Sequence, residues 1–302
     1  MLTQVQLSVR PVTSNDRQKL ANLIHFEVHV HRHLDWRPPL DWVGYHPYLI
    51  AEHQGRVQAA LACPPDPPRV AWIRLFAVSS TISIESAWQA LWPQARDQLA
   101  DAKGPDYIAA IPLQRWFQTL LEESDFIPGH RVVMLNWERG KLPPENDRVQ
   151  VNIRPMNLDD LPAVHEVDTA SFVPVWQNSQ ECLGIAFKQA AFATVAEYEG
   201  RIIGYQISTA TPMGGHLARL AIHPDMQGNG IGYSLLRDTL SHFERRGAHN
   251  VTVNTQQNNA ASLALYKKAG FRMTGEDYPV YLYQSEEYEP VGAHAFGALT
   301  RN

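Results

Sequence analysis

The chain has 302 residues, of which 44% are hydrophobic and 19% are charged, and its formal net charge is −5. This composition is typical of a globular protein with one large domain or two of ordinary size, and we expect two. No run of Lys or Arg indicates a nucleic-acid or membrane partner, and no stretch approaches the roughly 20 apolar residues of a membrane span. The N-terminus has no signal-peptide pattern either, so we expect a cytoplasmic protein.

The two cysteines of the chain, Cys63 and Cys182, lie far apart in the sequence. Two cysteines are too few for a disulfide framework, and no CxxC spacing indicates zinc or redox chemistry. We therefore expect both thiols to be reduced and structural.

A weak internal repeat runs through the chain at a spacing of 144 or 145 residues. Four matches share this register, and they are Arg10-Pro11 with Arg154-Pro155, Glu52 and Gly55 with Glu197 and Gly200, Ala77-Val78 with Ala221-Ile222, and Phe126 with Phe271. Such a register predicts a tandem duplication. We place the first domain at 1–139 and the second at 150–285. The polar, proline-containing segment 140–149 is the predicted linker.

The first half contains a histidine cluster formed by His25, His29, His31 and His33. His25 and His29 are one helical turn apart and could share a metal ion. The nearest residue that could complete such a site is Asp35, and no set of tetrahedral ligands is evident. We therefore expect no metal.

The second half alternates between helical and strand periodicity, which predicts a mixed α/β fold. The predicted strands are 151–156, 191–198, 201–210, 216–224, 250–255, 271–276 and 279–284, and the predicted helices are 158–171, 179–191, 233–247 and 258–270. A turn at Glu199-Gly200 joins two of the strands into a hairpin.

A glycine-rich loop, Gln227-Gly228-Asn229-Gly230-Ile231-Gly232, follows a strand and leads directly into a helix. Backbone N–H groups and the helix dipole make such a place suitable for a pyrophosphate, although the loop could also be a tight connection. A dinucleotide is a second candidate ligand, but it requires GxGxxG early in its domain. The glycines here are spaced GxGxG and come late, so we do not expect a nicotinamide cofactor.

The order of HLARLAIHPDMQGNGIG, a helix, a strand, Asn259, Tyr266 and Ala269-Gly270-Phe271 resembles the pattern of the GNAT superfamily of N-acetyltransferases over residues 150–285. The resemblance implies two tandem GNAT-like domains, each a mixed, mainly antiparallel sheet flanked by helices. It also implies acetyl-CoA as cosubstrate, bound where two central strands splay apart. The implied cofactor-binding residues are Leu220, Ala221, Ile222, Gln227, Gly228, Asn229, Gly230, Ile231, Gly232, Tyr233 and Asn259.

By the same resemblance, Tyr266 would protonate the departing thiolate, although it could also be a packed helix residue. The backbone N–H of Ile222 or a neighbour would stabilise the oxyanion. Asn254 aligns with a glutamate base of some family members, but an amide cannot take a proton and could only hold water or acceptor. His216 aligns with another branch's base, and an imidazole pKa near 6.5 suits that task. A partly exposed structural residue is an equally good interpretation of His216.

The acceptor pocket of this superfamily is built by the loop that contains Phe172 and Trp176, which could equally pack in the core. Glu181, Glu276 and Asp277 could surround a cationic amine or be ordinary surface charges. The acceptor itself is not identifiable from these residues.

The first half resembles a degenerate GNAT repeat. Its segment Ser79–Glu85, where the glycine loop should lie, contains no glycine, and Leu121 takes the register position of Tyr266. Without an anion cradle or an acid, we expect this half to be noncatalytic.

Two functions follow as hypotheses. The first is an N-acetyltransferase that acetylates a primary amine, on a small molecule or a protein N-terminus, by direct attack in a ternary complex. The second is a noncatalytic acyl-CoA-binding regulatory protein. The Gly/Ala-rich tail, 286–302, is expected to be flexible or to dock on a partner chain, and a homodimer is not decided by the sequence.

Overall fold

The computed structural model describes residues 6–100, 104–140, 142, 144, 151–212 and 214–284. These residues form two compact units: 6–129 with 279–284 make up the first unit, and 130–278 make up the second. The sequence-based boundaries stay a prediction and differ from the units in where 130–139 and 279–284 belong. The predicted linker lies mostly, and the predicted tail entirely, outside the described residues.

The first unit contains helices on a mainly antiparallel arrangement of strands, with one parallel pair formed by β5 and β7. Its elements are β1 (Ser8–Pro11), α1 (Arg17–Phe26), β2 (His29–Arg32), β3 (Tyr48–His53), β4 (Arg56–Ala62), β5 (Val70–Trp72), β6 (Leu75–Val78), α2 (Ile84–Ala100), β7 (Tyr107–Ala110), α3 (Arg115–Glu122) and the start of β8 (Ile127–Glu138). The last residues of the chain's final strand, 279–284, also belong to this unit and pair with β7.

The second unit has the predicted order of strands and helices. Its elements are the rest of β8, β9 (Asn152–Pro155), α4 (Leu161–Ser171), α5 (Gln180–Gln189), β10 (Phe192–Tyr198), β11 (Arg201–Ala210), β12 (Gly214–Ile222), α6 (Ile231–Arg245), β13 (Asn250–Gln256), α7 (Ala260–Lys268) and β14 (Arg272–Gln284) up to residue 278. The prediction of two closing strands was wrong, because β14 is continuous. Gly275 takes a φ of 88° inside it, an irregularity that glycine tolerates, and the polar residues around it resemble a turn in the sequence.

The tandem mixed α/β architecture inferred from the sequence is confirmed in detail by a repeated charge network. In the first unit, Arg10 bonds Asp16 at 2.8 Å and Glu52 at 2.9 Å. Residues in the same register of the second unit form the same network, with Arg154 bonded to Asp160 at 2.7 Å and to Glu197 at 2.9 Å. In both units the guanidinium lowers the pKa of the aspartate that caps the first helix.

Strand β2 marks the main difference between the units. It pairs antiparallel with β6, from His29 opposite Val78 to Arg32 opposite Leu75. In the repeat register, β6 corresponds to the end of β12, so the first unit covers this strand edge with its own chain. One of the clustered histidines is thereby buried: His31 stacks on Phe117, with ring centroids 4.0 Å apart, and burial lowers the pKa of His31 to about 4.

The core of the second unit packs one face of its sheet against α6 and α7. The buried apolar residues of this cluster include Val133, Leu135, Trp137, Leu217, Leu236, Leu240, Phe243, Val251, Val253, Tyr266 and Phe271. No described helix has the length and apolar character that crossing a membrane requires.

Candidate active site

The central strands β12 and β13 separate part of the way along their length. They pair in parallel from Gly214 opposite Asn250 to Leu217 opposite Val253, and no further pair joins them among the described residues. At the same point the pairing of β12 with β11 shifts register, which leaves Ala218 bulged. A bulge bends its strand, so β12 turns away from β13. We call the resulting gap the cleft.

The hydrogen-bonding pattern of β12 directs two peptide units into the cleft. The His223 amide donates to the Ile203 carbonyl at 2.8 Å, which makes these residues a hydrogen-bonded pair. Hydrogen-bonded and non-hydrogen-bonded pairs alternate along an antiparallel ladder. The N–H and C=O of Ala221 therefore bond β11, whereas those of Leu220 and Ile222 point into the cleft. The sequence analysis assigned the same cofactor-binding role to Leu220, Ala221 and Ile222.

The glycine loop begins where the cleft strand ends. The Gln227 side-chain amide donates to the Ile222 carbonyl at 2.9 Å and so ties the loop to the cleft. Gly228 and Gly230 have φ angles of 79° and 85°, which residues with a Cβ rarely adopt. Gly230 is the N-cap of α6, which begins at Ile231. Because the first N–H groups of a helix have no intrahelical partner, this place presents amide donors to an anion.

The chain leaves room beside the loop for a ligand. A Cβ added to Gly228 would meet no atom within 4 Å. One added to Gly232 would lie 3.6 Å from side-chain atoms of both Ile222 and Leu265, so the cleft strand, α6 and α7 meet there. The amide donors fit a pyrophosphate, and the peptide groups of Leu220 together with the N–H of Ile222, which point into the cleft, fit an amide-containing arm such as pantetheine.

Three other predicted cofactor contacts have side chains with structural roles. The Asn229 amide donates to the Met226 carbonyl at 3.2 Å, and the Tyr233 ring is buried with Lys268 Nζ 4.7 Å from its centroid. Asn259 caps α7, because its Oδ1 accepts from the Ser262 amide at 3.0 Å. A bound ligand would therefore contact mainly the backbone atoms of these residues.

Tyr266 lies on α7 in the apolar cluster that also contains Leu217 and Val253, the last strand pair before the cleft. Its side chain is buried, and burial raises the pKa of the phenol. No hydrogen bond to the hydroxyl is formed within the described part of the chain. A phenol in this state keeps its proton and has it available for donation.

His216 is held by a neighbour on the adjacent strand. Its Nδ1 lies 2.9 Å from Thr252 Oγ1, and the Thr252 hydroxyl is 3.5 Å from the Gly215 carbonyl. If the hydroxyl proton is directed to that carbonyl, Nδ1 carries the imidazole proton and Nε2 keeps a free lone pair. Burial lowers the pKa of His216, so the ring is neutral at pH 7. Asn254 lies two residues beyond Thr252 on the same sheet face and is exposed.

The predicted acceptor loop is anchored to the sheet by a buried ion pair. Arg219 donates to Asp168 at 2.6 and 2.8 Å and to the Trp176 carbonyl at 2.6 Å. Its guanidinium carbon lies 3.7 Å from the centroid of the Phe172 ring. The hydroxyl of Tyr205, a fully buried residue, also donates to Asp168. Phe172 and Trp176 are half-buried and share one side of the sheet with this pair.

Two of the three acidic residues considered for a cationic acceptor, Glu276 and Asp277, have partners within the second unit. Asp277 forms an ion pair with Arg131, and Glu276 accepts from the Tyr278 hydroxyl at 3.4 Å. Within the described residues, no group of three or more His, Cys, Asp or Glu side chains has the geometry of a metal site.

Sequence reasoning did not find Thr252, Asp168, Arg219 or Tyr205. The register between two parallel strands brings Thr252 to His216, and no local motif encodes it. A signal did exist for Arg219 and Asp168, because charged residues within otherwise apolar core positions require a partner.

Comparisons with known proteins agree with this geometry. Residues 157–271 match the family model described as the acetyltransferase (GNAT) family. A putative [ribosomal protein bS18]-alanine N-acetyltransferase of Bacillus subtilis is 23% identical over 128 residues, which cover 42% of this chain and 85% of the relative.

Solved structures resemble the chain over most of its length. A tandem GNAT protein from the clavulanic acid biosynthesis pathway has a TM-score of 0.63 at 15% identity and covers 94% of this chain and 100% of its own. A GCN5-related N-acetyltransferase from Sphaerobacter thermophilus has a TM-score of 0.57 at 15% identity, covering 92% and 95%. The fold of both halves is therefore the GNAT fold, and residues 157–271 of the second half match the model of the GNAT acetyltransferase family.

Proposed function

We propose that the second unit transfers an acetyl group from acetyl-CoA to a primary amine. The observation that carries this proposal is the cleft itself, with peptide groups of Leu220 and Ile222 on one edge and the amide donors of the glycine loop at its end. Acetyl-CoA supplies an activated thioester when bound there. The loop holds the pyrophosphate, and the cleft edge holds the pantetheine.

The side chains around the cleft supply the proton transfers. His216 Nε2 accepts the proton that the amine loses as its nitrogen attacks the thioester carbon, and the Ile222 N–H donates to the developing oxyanion. When the C–S bond breaks, the Tyr266 hydroxyl gives its proton to the sulfur. The amine becomes an amide, coenzyme A leaves as a thiol, and His216 and Tyr266 recover their protonation states through solvent.

The acceptor is proposed to be a small-molecule amine or a peptide N-terminus. The name of the Bacillus subtilis relative refers to N-acetylation of an alanine of ribosomal protein bS18, so a peptide that begins with alanine is the first acceptor to test. The half-buried aromatic rings of Phe172 and Trp176 offer an apolar surface to the residue that carries the amine.

A second candidate function is a noncatalytic acyl-CoA-binding regulator, which the amide of Asn254, at the position of the glutamate base of some family members, favours. Transfer of radiolabelled acetyl groups from acetyl-CoA to an alanine peptide and to glucosamine separates the two. Label in either acceptor, above the rate without protein, supports the enzyme. Tight acetyl-CoA binding without transfer to a broad amine panel would favour the regulator.

We further propose that the first unit binds no acyl-CoA. Its segment at the position of the glycine loop contains no glycine, and β2 occupies the edge of β6 that corresponds to Leu220 and Ile222 in the repeat register. Both parts of a coenzyme A site are therefore missing.

Replacing His216 with glutamine should lower kcat/KM about 100-fold at pH 7 and remove the part of the acidic limb that His216 contributes, so that only the limb of the acceptor amine remains. The base must be neutral to accept a proton, so wild-type activity falls as pH drops through the pKa of His216. Burial lowers that pKa, which places the limb below the usual value near 6.5. A pH profile of kcat/KM checks this.

The exposed His249 provides the control, since His249→Gln should leave both rate and profile unchanged. An unchanged kcat/KM in His216→Gln, at pH 7 and across the profile, would assign the proton transfer to another group, such as water held at Asn254.

A further inference from the structure

The buried pair of Asp168 and Arg219 joins α4 to the cleft strand. The side chains are 0% and 15% exposed, and their closest atoms are 2.6 Å apart. Removing two charges from water is so unfavourable that replacing such a pair by apolar residues is often neutral or stabilising. Stability alone therefore does not account for the presence of this pair.

The first unit packs its first helix against the corresponding strands without charges at these positions. In the repeat register, the positions of Asp168, Tyr205 and Arg219 are taken by three apolar residues, namely Ile24, Ala60 and Leu75. These three belong to one buried apolar cluster. The fold thus tolerates apolar residues at these positions. The polar residues occur in the unit that has the cleft and the glycine loop.

The ion pair fixes the loop of residues 172–178 at three places. Arg219 donates to the Trp176 carbonyl at 2.6 Å and stacks on Phe172 at 3.7 Å. Asp168 accepts from the Asn178 amide at 2.9 Å with its other carboxylate oxygen. One ion pair therefore fixes the position of the backbone of this loop and of its aromatic side chain, Phe172.

The same pair connects this loop to the cleft. Arg219 directly follows the bulged Ala218 and directly precedes Leu220, whose peptide groups point into the cleft. At the start of the loop, the Ser171 hydroxyl donates to the Ile222 carbonyl at 2.9 Å. The loop is therefore held at a fixed distance from the strand edge that would carry the acyl donor.

We propose that Asp168 and Arg219 are positioning residues that hold loop 172–178 as the wall of the acceptor site. They set the affinity for the acceptor and do not contribute to acetyl-CoA binding. The role of the loop in acceptor binding rests on the proposed function of the second unit, whereas the ordering of the loop by the pair does not.

The first unit supplies the design of the test. A triple variant, Asp168→Ile with Tyr205→Phe and Arg219→Leu, replaces the charged pair with apolar residues. The Tyr205→Phe change avoids leaving a buried hydroxyl without its partner. We expect hydrogen exchange of the amides in 172–178 to accelerate at least about tenfold, as for a segment that opens locally. The KM for the alanine peptide should rise at least about tenfold, with the Kd for acetyl-CoA within about threefold of wild type.

The matched control removes another buried ion pair, since Arg74 and Asp35 lie 2.8 Å apart in the first unit. Asp35→Leu with Arg74→Met should change neither the exchange in 172–178 nor the KM. Arg219→Lys keeps the charge but cannot bridge carboxylate and carbonyl in the same plane, so it should show an intermediate effect.

Unchanged exchange and KM in a folded triple variant would overturn the proposal, and so would a large loss of acetyl-CoA affinity with the loop still protected. If the triple variant does not fold, the same measurements of hydrogen exchange, KM and Kd on Arg219→Lys test the proposal. If wild type acetylates no amine, the proposed function fails, and the exchange data, which need no acceptor, still decide whether the pair orders the loop.

Discussion

Replacing Tyr266 with phenylalanine should lower kcat about 100-fold and leave acetyl-CoA affinity unchanged. The Tyr266 side chain belongs to the apolar cluster that contains the strand pair where the cleft begins, and burial raises the pKa of this phenol so that it stays protonated. Phenylalanine keeps the ring packed against Phe271, 5.5 Å away between centroids, and removes only the proton donor. Steady-state kinetics with a separate calorimetric Kd distinguish a chemical step from binding.

Tyr48 is the matched control for this variant. It is a fully buried tyrosine of the first unit whose hydroxyl has no hydrogen-bond partner in the described structure. Tyr48→Phe should leave kcat unchanged. An unaltered kcat in Tyr266→Phe as well would show that Tyr266 is a packing residue and that the thiolate leaves without its help.

Replacing Gly228 with valine should weaken acetyl-CoA binding at least about 100-fold, which corresponds to the loss of two hydrogen bonds to a charged group. Its φ of 79° is a region that β-branched residues avoid, so the loop must change conformation and its amides no longer converge. The new side chain would also enter the space beside the loop that the chain leaves empty. Calorimetric titration with acetyl-CoA measures the effect.

Gly200 allows the backbone strain to be separated from the ligand. It lies in the hairpin turn with a φ of 76°, and an added Cβ would likewise meet nothing within 4 Å. Gly200→Val should therefore lower stability to a similar extent without changing the Kd. Equal losses of affinity in both variants would mean that the loop does not bind the cosubstrate.

Much of the fold could be predicted from the sequence because the signals were local or repeated. The match of Arg10 with Arg154 and of Glu52 with Glu197 indicated a repeat register, and the structure shows the same ion-pair network in both units. The glycine loop was recognisable because Gly228 and Gly230 need positive φ angles, a requirement that is visible in the residue type.

The features that the sequence missed depend on tertiary pairing. Thr252 meets His216 only through the register of two parallel strands, and Ala221 differs from Leu220 only through the alternation of the ladder. The pairing of β2 with β6 was also unforeseen, because its four residues carry histidines that looked like metal ligands. The local sequence pattern predicts which residues of a strand share a face, but it does not predict which strand pairs with it or in which register.

The central claim is that the cleft of the second unit is the acetyl-CoA site of this chain. Calorimetric titration of the full chain with acetyl-CoA tests it most directly. The account predicts saturation at one molecule per chain, with binding lost in Gly228→Val and kept in Gly200→Val. Absence of binding to the folded wild type, or saturation at two molecules per chain, would contradict it.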